Sequence, residues 1–485
     1  MRRSPEISRD LFMSPGQGGI DMEKDMIIGK PSKIILNFTI PIFIGNVFQQ
    51  FYSMADTIIV GKFVGNSALA AVGACGTLTF LILGFLMGMT AGFTVVTAQH
   101  YGAGNYKAMR RSIASAVILS GVVSLILTAA SMSLMHNILH WMNTPDDMYG
   151  QAYSYIMVIC AGIAAQVLYN LLASVLRAVG DSKHPLYFLI LAALLNIVLD
   201  LVFIIVFHMG AAGAAYATVI SQGISGLACL FYIIKCVPML HLHKDDWKID
   251  RNLAGWQMKI GFPMAFQYSI TAIGTIVVQS ALNALGSVAV AAYSAAVKIE
   301  QIVTQAYVAL GTTMATYCAQ NAGAGKTERI RQGFRSATWI SETYAVLTGI
   351  LIFFAGKYMT VLFVSENVRT IMSYVDTGLK CAAVSFVFLA VVNVYRNGIQ
   401  GMGYGILPMT AGIAELLGRC GAALAASHYK SFLGICLASP IAWLLASVLL
   451  LGMYFHIMYR YKKKGLLRPA AKKRFPVWKK KYQHT

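Results

Sequence analysis

Charge is what this chain has least of. Only 12% of its 485 residues are Asp, Glu, Lys or Arg, while 57% are hydrophobic, and a soluble domain carries about twice that charged share. Acid is scarcest, at 19 residues against 39 basic ones. Length alone would suit about three soluble domains, but this composition excludes them. The eight cysteines are scattered, mostly inside apolar runs, and no pair has metal-ligand spacing. Buried free thiols are therefore expected, not a zinc site or a disulfide scaffold. A cleavable leader pattern is also missing, because Arg2 and Arg3 are followed by polar residues.

Signatures of catalysis are lacking too. There is no H-E-x-x-H and no G-x-S-x-G. Gly323-Ala324-Gly325-Lys326-Thr327 imitates the end of a phosphate-binding loop, yet Gln320 stands where that loop needs a glycine. His241 and Asp246 have an acyltransferase-like spacing, but they lie in a charged segment. The chain is not expected to be an enzyme, and no cofactor or metal is called for.

What is present is a series of apolar runs of span length, continuous rather than alternating, enough for helices crossing a ~30 Å hydrocarbon layer. Twelve are counted, at 33–60, 68–98, 112–135, 151–176, 186–207, 213–235, 257–283, 289–319, 336–356, 371–395, 408–427 and 434–459. The predicted class is an all-α polytopic membrane protein.

The chain also repeats itself. Ala98-Gln99-His100-Tyr101-Gly102-Ala103-Gly104 returns 221 residues later as Ala319-Gln320-Asn321-Ala322-Gly323-Ala324-Gly325. Gly65 falls on Gly286 and Arg110 on Arg331 at the same shift. Small drifts pair Pro41 with Pro263, Gly180 with Gly403 and Pro185 with Pro408. A collinear series of this kind argues for an internal duplication. Six spans per copy return the chain to its starting side, so the two six-helix repeats are parallel and enclose a central cleft. The expected division is an N-terminal tail 1–29, a lobe 30–236, a linker 237–254, a second lobe 255–460 and a basic tail 461–485.

Lys and Arg test the topology. With the N-terminus inside, 32 fall on inward segments and four on outward loops, Lys62, Lys357, Arg369 and Lys430. That asymmetry places both termini in the cytoplasm. The basic tail, with Phe475, Trp478 and Tyr482 among its cations, suits anionic lipid headgroups better than nucleic acid. Gly102, Gly104, Gly323 and Gly325 then lie at the cytoplasmic face as tight turns or as parts of a gate.

Ionisable residues inside spans usually face an interior and mark a pathway. Asp56 lies in the first span, while Asn196 and Asp200 share one face of the fifth at i, i+4. Two carboxyls close together in a low dielectric cannot both ionise cheaply, so the pair is expected to hold and release a proton. Structural acids satisfied by nearby amides are the plainer alternative. Glu415 and Arg419, also i, i+4, read as an internal ion pair. Glu342, Asp376 and Lys380 fall near predicted span ends and would snorkel. Candidate cleft residues are Gln49, Tyr52, Gln267, Lys298, Glu300, Glu415 and Arg419.

These features resemble the MATE (multidrug and toxic compound extrusion) family. The Gln-x-x-Gly-Ala-Gly loops follow spans 2 and 8. Phe51-Tyr52-Ser53-Met54-Ala55-Asp56-Thr57-Ile58-Ile59-Val60-Gly61 is similar to its first-span motif, and Arg177-Ala178-Val179-Gly180-Asp181 to its R-G-x-G-D loop with Ala178 in place of glycine. The resemblance covers about 33–460. It implies an antiporter in which inward H⁺ or Na⁺ drives amphipathic, often cationic compounds outward, the chain working as a monomer in the bacterial inner membrane. It further implies a coupling site of Asp56, Asn170, Asn196, Asp200 and Thr218 in the first lobe. A second branch of the family carries an acid in span 10, where this chain reads Phe386-Val387-Phe388-Leu389-Ala390-Val391. That departure favours coupling in the first lobe and weakens transfer of the other branch's Na⁺ site, and H⁺ is modestly favoured over Na⁺. A flippase for a lipid-linked or glycolipid substrate is the alternative.

Overall fold

Residues 26–142, 144–362 and 368–465 are described by a computed structural model, and across them the regular structure is helical. The first half runs α1 (Pro31–Phe63), α2 (Asn66–Gly102), α3 (Tyr106–Trp141), α4 (Asp146–Ala161), α5 (Ile163–Ala178), α6 (Lys183–Leu201) and α7 (Gly210–Cys236). The second half runs α8 (Arg251–Asn283), α9 (Ser287–Gly323), α10 (Thr327–Ala355), α11 (Val368–Gly401), α12 (Ile406–His428), α13 (Phe432–Cys436) and α14 (Ala438–Lys463). Helices α4 and α5 form one span bent by 47°, and short α13 leads into α14. The expected twelve rods result. Among the described residues nine helices are long and apolar enough to cross a bilayer, and the bent pair makes a tenth. The other two, α9 and α12, carry Lys298 with Glu300 and Glu415 with Arg419.

The rods outrun the apolar runs, because hydropathy marks only the part of a helix that lies in hydrocarbon. The clearest case is α10, which starts at Thr327 and not near 336. Glu342 is therefore in the middle of its helix and not near an end, and its Oε1 is buried with no hydrogen-bond partner. Asp376 and Lys380 pair with each other at 2.6 Å. Most of the basic tail lies outside the described residues.

Duplication shows in the backbone itself. Gly65 and Gly286 have φ of 114° and 93°, Gly104 and Gly325 of 69° and 70°, and Gly180 and Gly403 of 98° and 94°. Left-handed values of this kind favour glycine at matched turns in both halves.

The two halves meet along unequal seams. On α2, Gly84, Gly88 and Gly92 form a stripe at helical spacing. A Cβ on Gly88 would strike the Met264 carbonyl and the Ala265 backbone, and one on Gly92 the Gly261 backbone. Small residues let α2 and α8 approach closely, and Gln257 of α8 adds hydrogen bonds to the Phe93 carbonyl (3.3 Å) and the Ser112 carbonyl (2.7 Å). In the other repeat the matching positions on α9 are Gln305, Ala309 and Thr313. There α1 packs along α9 less extensively than α8 along α2, and Thr39 of α1 donates a hydrogen bond to the Thr313 hydroxyl at 2.8 Å. One seam is tighter than its mate.

Burial is graded along the rods. From Gly88 to His100 on α2, and from Ala309 to Asn321 on α9, nearly every residue is buried, whereas the opposite ends alternate between buried and exposed. The halves are thus pressed together at the end that carries the repeated glycine loops and splayed at the other.

Candidate functional site

The splayed end leads into a cavity of about 350 Å³ walled by both halves, with α1, α2, α4, α5, α6, α7, α8, α9 and α11 contributing. Its lining mixes amides (Asn46, Gln49, Gln166, Asn170, Gln222, Asn397), tyrosines (Tyr52, Tyr155, Tyr169, Tyr268) and apolar side chains such as Met87 and Met264. Of the described residues that line it, Asp56 is the one carboxyl and Arg177 the one guanidinium.

Asp56 of α1 faces this space, and its Oδ1 is buried without a hydrogen-bond partner. Asp200 stands one turn beyond Asn196 on α6. It is fully enclosed, and neither carboxyl oxygen has a partner. The two acids lie within electrostatic reach of each other, and Tyr52 and Tyr155 sense both. Neither acid forms an ion pair among the described residues. Asn196 donates a long hydrogen bond (3.4 Å) to the Thr218 hydroxyl of α7. Thr218 and Asn170 line the cavity, the Asn170 amide returning to the Gln166 carbonyl of its own helix at 2.8 Å. The α-helix gives way to a π-helical turn, Val202–Val206, just past Asp200. Such turns recur at functional positions, where they let a helix re-aim its side chains. Of the five residues, Asp56, Asn170 and Thr218 line the cavity, while Asn196 and Asp200 are buried on α6 outside its lining.

The second half clamps Glu415 in the opposite way. Glu415 pairs with Arg419 at 2.8 Å, as the i, i+4 spacing predicts, but Arg396 of α11 closes on its other oxygen. Arg396 falls one residue past the span expected at 371–395, and the extra turns of α11 carry it inside. Glu415→Gln should leave two buried guanidiniums without their shared anion. Breaking a buried pair in this way costs about 3–5 kcal/mol, which would appear as a clearly lower thermal midpoint of the detergent-solubilised protein. An unchanged midpoint would show that the network does not hold the lobe.

Among the candidate cleft residues the cavity takes in Gln49 and Tyr52 and leaves out five. Gln267 is spent on a hydrogen bond from Gln400 at 2.7 Å. Glu415 and Arg419 are locked together. Lys298 is exposed on α9, and Glu300 lies against the charge of Arg419. Residues separated by two positions on a helix face apart, and nothing in the spacing showed which face turns inward. Arg177, the first residue of the stretch that resembles the R-G-x-G-D loop, lines the cavity wall.

The glycine loops close the pressed end. A Cβ on Gly102 would overlap the Gln320 carbonyl, and one on Gly323 the Gln99 carbonyl. Gln99 donates to the Gly401 carbonyl and Gln320 to the Ala178 carbonyl, both at 2.9 Å. Each repeat thus bonds to the last turn of the other's α5 or α11. The main chain at Met26 joins the closure: its amide donates to Gln320 Oε1 (3.1 Å), and its carbonyl accepts from Asn321 (3.2 Å) and Arg329 (3.1 Å). The loops are both turn and closure.

Two matched helical lobes around a polar cavity are the architecture of a membrane transporter. A family model for MatE matches residues 41–202 and 263–425, one copy in each half. The chain belongs to that family of multidrug and toxic compound extrusion transporters. Among relatives, it is 32% identical over 377 residues to "Probable multidrug resistance protein YpnP" of Bacillus subtilis, covering 77% of this chain and 83% of that one. It is 25% identical over 429 residues to the "FAD transporter" of Shewanella oneidensis, covering 86% and 92%. Among solved structures, the outward-facing conformation of a multidrug resistance MATE transporter superposes with a TM-score of 0.85 at 22% identity, over 94% of this chain and all of that one.

Proposed function

We propose that this chain is a secondary-active exporter, driven by cations with H⁺ favoured over Na⁺, that moves amphipathic, often cationic compounds out of a bacterial cell across the inner membrane. Both termini then face the cytoplasm, and the conformation described above is the outward-facing one. The observation that carries the coupling is that the first lobe sets two unpartnered acids within electrostatic reach of each other; Glu342 of the second lobe is also unpartnered but stands apart from the cavity lining. Asp56 and Asp200 are buried with no basic partner, whereas Glu415 is neutralised by two arginines. An acid already clamped by guanidinium has little to gain from a passing cation; the unpartnered pair has much.

In the outward-facing state the pair takes a cation from outside while cargo leaves the cavity. Neutralising the pair removes the penalty for closing the outer end. The loops at Gly102 and Gly323 part, the cation leaves to the cytoplasm, and cargo enters. Names given to the relatives as multidrug resistance proteins support this direction of transport. The test is dye efflux from cells that express the chain, with a protonophore or with collapse of the Na⁺ gradient alone. Loss of efflux with the protonophore only is the expected result. Loss with Na⁺ collapse only would reassign the ion, and loss with neither would reject ion coupling.

A further inference from the structure

The cavity has a cation of its own that the coupling site does not use. Arg177 ends α5 and lines the wall beside Ala178, whose carbonyl receives the Gln320 bond that seals the floor. Tyr155, within the field of Asp56, is 22 positions before Arg177 along the α4–α5 rod, a path on the order of 30 Å. The single carboxyl and the single guanidinium of the lining therefore sit towards opposite ends.

Arg177 has no carboxylate within ion-pair distance among the described residues. One of its donors is committed, from Nη2 to Ser174 Oγ at 2.9 Å, and a guanidinium carries five N–H groups. The others are not walled off as those at Nε of Arg396 and Arg419 are. The carbonyl end of α5 supports this cation without neutralising it. The phenols of Tyr169 and Tyr268 lie within its field, and the methionines Met87 and Met264 share the cavity wall. An unpaired planar fork beside rings and thioethers is a receptor for an oxyanion on an aromatic body.

We propose that Arg177 forms an anion subsite at the floor of the cavity, so that among amphipathic aromatic cargoes, cationic bodies included, one that also bears a carboxylate or a similar oxyanion binds more tightly than the same body without it. This deepens the exporter reading and rests on it for the step of release. The distance between the ends also separates tasks: cargo charge is read at Arg177 while the coupling cation is held around Asp56 and Asp200, and the two communicate through lobe closure.

The experiment uses the purified full-length protein in detergent and two probes, a rhodamine with a free carboxylate and its ethyl ester, with binding followed by fluorescence anisotropy. The wild type should bind the acid more tightly than the ester. Arg177→Gln should reduce that acid-over-ester ratio by about tenfold or more, the size expected for a lost charge-assisted hydrogen bond. Arg177→Lys should keep a reduced preference for the acid. A wild type that prefers the ester, or a ratio unmoved in Arg177→Gln, would overturn the subsite, and the wild-type result stands even if a variant fails to insert. Binding needs no ion gradient. A failure of cation-driven export would appear in the efflux assay and leave this ratio intact, so the two readings can fail separately.

Discussion

Asp200→Asn should abolish concentrative efflux while leaving the protein in the membrane at its normal level. Asn keeps the volume and removes the exchangeable charge, so packing against α7 survives. Both Asp200 oxygens lack partners, hence no structural hydrogen bond is lost either. At a membrane potential of 100 mV each coupled charge supplies about 2.3 kcal/mol, a concentration ratio of about fiftyfold. Without the carboxyl that ratio should fall to one, with downhill movement of dye as the only residual activity. Asp56→Asn should do the same. Normal dye resistance in both variants would reject the coupling assignment, whereas loss in one alone would confine it to that acid.

A second large effect is expected at the loops. Gly102→Val places a side chain on the Gln320 carbonyl, and Gly323→Val places one on the Gln99 carbonyl. Neither clash can be relieved by rotating a side chain, because main chain lies on both sides. Each variant should be unable to seal the cytoplasmic end and should lose nearly all export. A cysteine at Ala98, buried beneath the closure, reports the state in a background without native cysteines. It should react with a membrane-impermeant maleimide from the cytoplasmic side many times faster in Gly102→Val than in the parent. Gly121→Val is the matched control, since a Cβ there meets open space. Equal labelling in parent and Gly102→Val would mean that the loops are mere turns.

Much of the architecture can be read without coordinates, and the reason is physical. Crossing hydrocarbon demands long apolar runs, and a duplicated gene leaves a shift that matched glycines betray. The Gly65–Gly286, Gly104–Gly325 and Gly180–Gly403 pairs share backbone conformations because they share turns. What the chain conceals is which side of each rod faces its neighbours. Lipid is as apolar as a helix interface, so the inward and outward faces of α9 look alike. Lys298 and Glu300 could not be assigned to a face, and Glu342 and Arg396 were placed at span ends that their helices overrun. Asp56 and Asp200 stood out because a charge in hydrocarbon is expensive wherever it points. Arg177 did not, because it sits at a helix end, where cations are common. The glycine stripe at Gly84, Gly88 and Gly92 was readable in principle as small residues at i, i+4, but only the departure at Gln305, Ala309 and Thr313 reveals its use. It makes the α2–α8 seam tighter than its α1–α9 mate.

The central claim is that a buried acidic pair in the first lobe exchanges cations for the movement of two matched halves. Its most direct test is transport by the purified chain in liposomes with a pH gradient, no Na⁺ gradient, and a pH-sensitive dye inside. The account predicts uphill movement of cargo accompanied by proton movement in the opposite direction, both vanishing in Asp56→Asn and Asp200→Asn. Uphill transport that persists in those variants, or that proceeds without any proton movement, would contradict it.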